Sequence, residues 1–175
     1  FSMGFIEGQS LAQRIKDGPL PQREAAEIVK KVAVAVDYAH RKGIIHRDLK
    51  PANVFFARSK GASSGVRALD GRKEIVKLLD FGIARETTSN ERLTRPGMLV
   101  GSSQYMSPEQ IGAHKEVDTR TDLWSLGVLL FRAITGQRPF KGANGEVFAR
   151  ILQDAPPRVT SFDRTLPRGL DAFFR

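Results

Sequence analysis

The sequence predicts a mainly α fold with small β elements set around two polar loops. Three observations carry that reading. Ala25, Ile28, Val29, Val32, Val36 and Ala39 recur at three- and four-residue spacing, the signature of one buried helix face. A second, more apolar helix is expected from Leu123 to Ile134. Only short apolar runs, Ile44-Ile45, Val54-Phe55-Phe56 and Ile75 to Leu79, have strand character.

The remaining elements follow in chain order. Ser10 can cap a short helix from Leu11 to Lys16, stopped by Asp17-Gly18-Pro19. Pro21 opens the long helix, and Gly43 ends it. Residues 80–109 are polar and rich in Ser, Thr and Arg, and are expected to form a long loop. The apolar helix starts at Asp122 as N-cap and closes at Gly136 and Pro139. An amphipathic helix over Gly145 to Leu152 precedes Pro156-Pro157.

Composition narrows the function classes. The 175 residues suffice for one hydrophobic core, and 41% hydrophobic with 27% charged residues is ordinary for a globular chain. There is no cysteine, which excludes disulfides, thiolate metal sites and a thiol nucleophile. The three histidines, His40, His46 and His114, are too scattered to suggest a metal cluster. The longest apolar stretch, Leu123 to Phe131, is broken by Ser125 and Gly127, far short of the ~18 residues of a membrane span. The net charge of +9 is spread along the chain, +6 in residues 1–88 and +3 in residues 89–175. Its most basic stretch, Arg58 to Lys77, surrounds a Gly/Ser segment and has no interleaved aromatic. It reads as a solvated loop; no nucleic-acid partner is expected.

One segment is specific. His46-Arg47-Asp48-Leu49-Lys50-Pro51-Ala52-Asn53 resembles the catalytic loop of protein kinases, in the spelling of Ser/Thr kinases. Seven specified positions at about one in twenty each make chance agreement roughly one in a billion per site. Downstream, Asp80-Phe81-Gly82 resembles the magnesium-binding motif, and Ser107-Pro108-Glu109 the end of the activation segment. Gly101 to Met106 resembles the loop that receives substrate, and Asp122-Leu123-Trp124-Ser125-Leu126-Gly127 the start of the large buried helix. The chain thus resembles a bacterial-type Ser/Thr protein kinase over essentially its whole length.

The resemblance implies most of a kinase C-terminal lobe: residues 1–8 as a hinge-like segment, 44–56 as the catalytic loop region and 80–109 as the activation segment. It implies ATP and Mg2+ as cofactors and protein Ser/Thr hydroxyls as acceptors. Asp48 would orient the acceptor hydroxyl and take its proton, Lys50 would offset charge on the transferred group, and Asn53 and Asp80 would offer oxygen ligands to magnesium. The resemblance places Gly4 and Ile6 against adenine, Met3 at the gatekeeper position and Phe55 beneath the base. Arg47 would pair with a phosphorylated activation-loop residue, with Thr94 the first choice among Thr87, Thr88, Ser89 and Thr94. Ser102 would bridge Asp48 and Lys50. Ser103, standing where Pro is common, would loosen the substrate loop. His46 is expected to pack the loop, Trp124 to lie in the core, and Asp122 to accept hydrogen bonds from the catalytic-loop backbone.

Asp48 and Asp80 stand 32 positions apart, about a dozen more than the family pattern. The surplus falls in residues 58–74 and reads as an enlarged surface hairpin loop. The Gly-rich phosphate lid and the strand lysine of the parent α+β fold have no counterpart in the sequence, so the N-terminal lobe is expected to be absent. Phe1 and Arg175 read as cut edges, and this stretch alone is expected to transfer phosphate negligibly. The parent is expected to be cytoplasmic unless anchored elsewhere, and to pair with a second copy for trans-phosphorylation. The alternative reading is a non-catalytic kinase-like interaction module, which has no need of Asp48, Asn53 and Asp80 together.

Overall fold

A computed structural model describes residues 7–58, 66–67, 73–81, 103–112 and 117–175. The chain begins with strand β1 (Gly8–Ser10) and helix α1 (Leu11–Arg14). Ser10 caps α1 through a reciprocal box, its hydroxyl accepting from the Gln13 amide while the Gln13 side chain accepts from the Ser10 amide. Helix α2 (Gln22–His40) buries Ala25, Ile28, Val32, Val36 and Ala39, five of the six positions its spacing marks. Gly43, at φ 74°, turns the chain out of α2, with the Gly43 amide on His40 O and the Ile44 amide on Ala39 O.

Ile44 and Ile45 form no strand, contrary to the sequence expectation. The Ile44 amide is spent closing α2, and its side chain is left largely exposed. Residues 44–50 are irregular, then Pro51–Asn53 make one 3-10 turn leading into β2 (Val54–Arg58). Strands β3 (Val66–Arg67) and β4 (Lys73–Leu78) follow. The sheet order is β1-β2-β4-β3, antiparallel throughout, with Val54 opposite Leu78 and Arg58 opposite Glu74. The expected hairpin is therefore present, and its long connection contributes a strand of its own.

Strand β1 has no signal in the sequence, because Gly-Gln-Ser has little strand propensity. It exists as an edge laid on β2, and the fit demands Gly8, because a Cβ there would collide with the Phe56 carbonyl oxygen.

A 3-10 turn (Ser103–Tyr105) and α3 (Pro108–Ile111) precede α4 (Arg120–Thr135) and α5 (Asn144–Gln153). A 3-10 turn (Val159–Ser161) and α6 (Gly169–Phe173) complete the described residues. Asp122 is not the N-cap of α4; Thr119 holds that position and Asp122 lies inside the first turn. The C-terminal stop is as expected, with Gly136 left-handed at φ 68°. The main core joins α2, α4 and the sheet through Ile28, Val32, Val36, Val54, Phe56 and Leu129. Trp124 packs at its margin and stacks on Phe140, ring centroids 6.1 Å apart. No helix among the described residues is long and apolar enough to cross a membrane.

Candidate functional site

The loop over His46–Asn53 is anchored in the core by Leu49. Leu49 is fully buried in the main core, so its neighbours Asp48 and Lys50 face together away from it. Lys50 Nζ lies 2.9 Å from Asp48 Oδ2. Asn53 donates through Nδ2 to the Asp48 carbonyl oxygen at 2.9 Å, with Asp48 Oδ2 at 3.5 Å. That bond uses the donor end of the amide. Three of the four predicted chemical residues are thus one cluster.

The fourth, Asp80, follows β4. The Leu79 amide donates to Asn53 O at 2.9 Å, which ties the strand's end to the loop. Asp80 itself is exposed, with a left-handed backbone at φ 52°. The only other non-glycine residue described with positive φ is Arg47, at φ 61°. Such backbone costs of order 1–3 kcal/mol and persists only where surroundings over-determine it.

At Arg47 those surroundings are explicit. Asp122, with no exposed surface, accepts from the His46 amide (2.8 Å) and the Arg47 amide (2.9 Å). A third donor is His40, whose Nε2 is 2.7 Å from Asp122 Oδ2. The carboxylate only accepts, so this nitrogen carries its proton. At the next peptide group, Gln110 Nε2 donates to Arg47 O at 2.9 Å. Gln110 is itself fixed by the Ser107 capping box, and Ser107 Oγ meets Thr121 Oγ1 at 2.8 Å. Ser125 Oγ donates to Tyr105 O at 2.8 Å. Helix α4 therefore holds both the His46–Asn53 loop and the segment before α3.

His46 behaves as expected. It is 1% exposed, its Nδ1 accepts from the Asp48 amide (3.3 Å), and its Nε2 lies 3.1 Å from the Leu79 carbonyl. This pair of contacts selects the neutral Nε2–H tautomer. Burial pushes the imidazole below its ordinary 6.5, against opposing pulls from the Leu79 carbonyl, Asp122 and Asp48. Its ring also packs on Phe81, centroids 4.7 Å apart.

Phe55 is half-buried in β2, and its ring lies against Gly8, at the end of the hinge-like segment. Met3, Gly4, Ile6, Thr87, Thr88, Ser89, Thr94 and Ser102 lie outside the described residues. Ser103, expected to loosen its loop, is fully buried at the start of a 3-10 turn. Sequence reasoning missed His40 and Gln110, whose partners lie 82 and 63 positions away.

For a hard divalent cation the donor chemistry fits: one carboxylate from Asp80 and one amide oxygen from Asn53. Magnesium is commonly held by one or two carboxylates completed by substrate phosphates and water. No cluster of three or more acidic, His or Cys residues among the described residues offers a competing cage.

The family model for the protein kinase domain matches residues 1–167. The chain belongs to the protein kinase family. It is 40% identical over 168 residues to the serine/threonine-protein kinase pkn2 of Myxococcus xanthus, covering 94% of this chain and 18% of that protein. Against the serine/threonine-protein kinase PknB of Mycobacterium leprae it is 37% identical over 141 residues, covering 80% of this chain and 20% of that protein. The crystal structure of a point mutant of the Mycobacterium tuberculosis PknI kinase domain superposes with a TM-score of 0.64 at 28% identity. That match covers 98% of this chain and 54% of the solved one, so the chain spans about half of that kinase domain's length.

Proposed function

We propose that the protein is a serine/threonine protein kinase that moves the γ-phosphoryl group of ATP onto protein Ser/Thr hydroxyls. We read this stretch as its larger, mainly helical lobe. The observation that carries the reading is the hydrogen-bonded cluster of Asp48, Lys50 and Asn53 on a loop pinned at both the amide and the carbonyl of Arg47.

Phosphoryl transfer through a loose transition state asks the protein for position and charge rather than covalent chemistry. Asp48 Oδ2 accepts a hydrogen bond from the incoming hydroxyl, aims its oxygen, and takes the proton as the new ester bond forms. Lys50, on the same carboxylate, presents positive charge beside the reacting oxygens. Asn53 and Asp80 are the residues that would hold magnesium; when bound, Mg·ATP supplies the transferable group and neutralises its phosphate charge. Phe55 forms the floor of the adenine slot, with Gly4 and Ile6 on its hinge side. Arg47 reads a phosphate on Thr94, and a second copy of the chain delivers it. ATP chemistry and protein substrates favour a cytoplasmic site of action.

The test is transfer of labelled phosphate from Mg·ATP to a Ser/Thr peptide pool by the full-length protein. Asp48→Asn is expected to lower kcat by about 10²–10⁴-fold with the fold intact by circular dichroism. Undiminished transfer by that variant removes Asp48 from the chemistry. Absence of transfer by the wild-type protein, with Mg·ATP saturating, leaves the interaction module as the better reading.

A further inference from the structure

A cavity of about 140 Å³ opens beside the working loop, with Lys50, Pro51 and Ala52 in its lining. Tyr105, Arg132 and Arg138 also line it. Its lining contains three cations and no carboxylate. Lys50 is engaged with Asp48, but among the described residues neither Arg132 nor Arg138 has a carboxylate within ion-pair distance. The one side-chain bond of Arg132 is a long contact to the Gly136 carbonyl at 3.5 Å. The Nε–H of Arg138 is buried without a hydrogen-bond partner. Burial raises the Tyr105 phenol, and the opposing pull comes from Arg132 and then Arg138, so both guanidinia sit close beside its hydroxyl.

A buried guanidinium donor with no acceptor costs about 1–3 kcal/mol, more when charged, and two arginines with no carboxylate beside them among the described residues repel each other. A group that supplies oxygen acceptors and negative charge relieves both. The cavity is smaller than the ~300–1,000 Å³ of small-molecule sites, yet it holds several waters' worth of space, room for one carboxylate or phosphate group. Because its wall is the Lys50–Ala52 stretch, whatever fills it is tethered close to the hydroxyl that Asp48 handles.

We propose that this cavity is a specificity subsite for an anionic side chain of the protein substrate, carried within about four residues of the phosphorylated Ser or Thr along an extended peptide. This rests on the kinase reading above. Arg132 and Arg138 supply the recognition, the fork of each guanidinium matching the two oxygens of a carboxylate or phosphate. They select which hydroxyl is presented and play no part in the transfer itself.

The experiment uses full-length protein and a Ser peptide set in which a single Asp, phosphoserine, Ala or Lys is moved through the flanking positions. Two readouts are taken, peptide binding by fluorescence anisotropy without ATP, and kcat/KM with Mg·ATP. At one position Asp and phosphoserine are expected to exceed Ala by about tenfold in both readouts, with Lys below Ala. Arg132→Gln/Arg138→Gln should reduce that preference to about twofold while transfer to the Ala peptide stays level, and Arg138→Lys should retain part of it. A larger response to phosphoserine than to Asp assigns the subsite to primed substrates; the reverse assigns it to acidic ones. Transfer with no anionic preference, or a preference the double variant leaves untouched, overturns the subsite and keeps the kinase. Anion-selective binding that the double variant abolishes, without any transfer, keeps the subsite and overturns the kinase.

Discussion

Two buried charged residues anchor this molecule, and they are satisfied to very different degrees. Asp122, at the start of α4, receives three hydrogen bonds of 2.7–2.9 Å from His40, His46 and Arg47. Arg14, at the end of α1, has one short bond, Nη2 to Glu74 Oε2 at 2.6 Å, and a longer approach of Nη1 to Glu24 at 3.7 Å. Its Nε and Nη1 protons have no hydrogen-bond acceptor, and its guanidinium instead lies over the Phe56 ring, 4.1 Å from the centroid. Both side chains of the Arg14–Glu74 pair are nearly inaccessible, 3% and 6% exposed. A fully satisfied anion fixes the geometry of the backbone around it. An incompletely satisfied ion pair holds two elements together by charge, and much of what it gains it loses to desolvation.

The comparison breaks first at Asp122. Asp122→Ala strands two buried backbone donors beside a left-handed Arg47, and a loss of about 3–5 kcal/mol is expected in urea unfolding of the full-length protein. Asp122→Asn is the sharper variant, since it keeps the volume but offers one oxygen where three donors converge. It should cost less stability than Ala while still lowering kcat, because the loop carrying Asp48 loses its fixed register. A stable Asp122→Asn protein with unchanged kcat would show that Leu49, with the Gln110 and Leu79 contacts, suffices to position the loop.

At the other anchor the expected pattern is non-additive. Arg14→Met leaves the Glu74 carboxylate buried and unpaired, at a cost of about 3–5 kcal/mol. Arg14→Met/Glu74→Leu removes the stranded charge as well, and should be more stable than Arg14→Met alone. A double-mutant cycle by urea denaturation measures the coupling, and additive losses would mean that the pair is not a unit. Neither change should alter the anionic preference of substrate, since Arg14 does not line that cavity.

The same contrast explains what could be read in the sequence. Asp48, Lys50 and Asn53 were legible because one short loop carries them all, and their spacing alone puts them together. Helices α2, α4 and α5 were legible because each repeats its buried face over several turns. His40, Gln110 and the Arg14–Glu74 pair were not, because their meaning lies in partners 60 to 82 positions away that no local period announces. Ile44-Ile45 misled in the opposite direction: two β-branched residues look like a strand, but the end of α2 claims the Ile44 amide before any ladder can. Strand β1 exists for the reason Ile44-Ile45 fails, since the open edge of β2 supplies the partners its sequence does not advertise.

His46 ties the satisfied anchor to solvent pH, and the sign can be worked out. Its folded form is held neutral, with a pKa below the ordinary 6.5 because burial outweighs the opposing contacts. In the unfolded chain the imidazole protonates as pH falls through about 6.5, while the folded imidazole does not until lower pH. Across that window the unfolded state binds more protons, so stability falls as pH drops, and the full contribution is present only above about 6.5. His46→Gln lacks the titration. Stability measured by urea denaturation should therefore decline less steeply in this variant than in wild type below pH 6.5, even though its stability at neutral pH is lower. The comparison isolates one group because Asp122 and Asp48, the carboxylates facing the ring, remain in both proteins. Parallel slopes would mean that the imidazole does charge inside the fold. The Asp48 amide would then lose its acceptor at Nδ1, and the loop would be held from the Asp122 side alone.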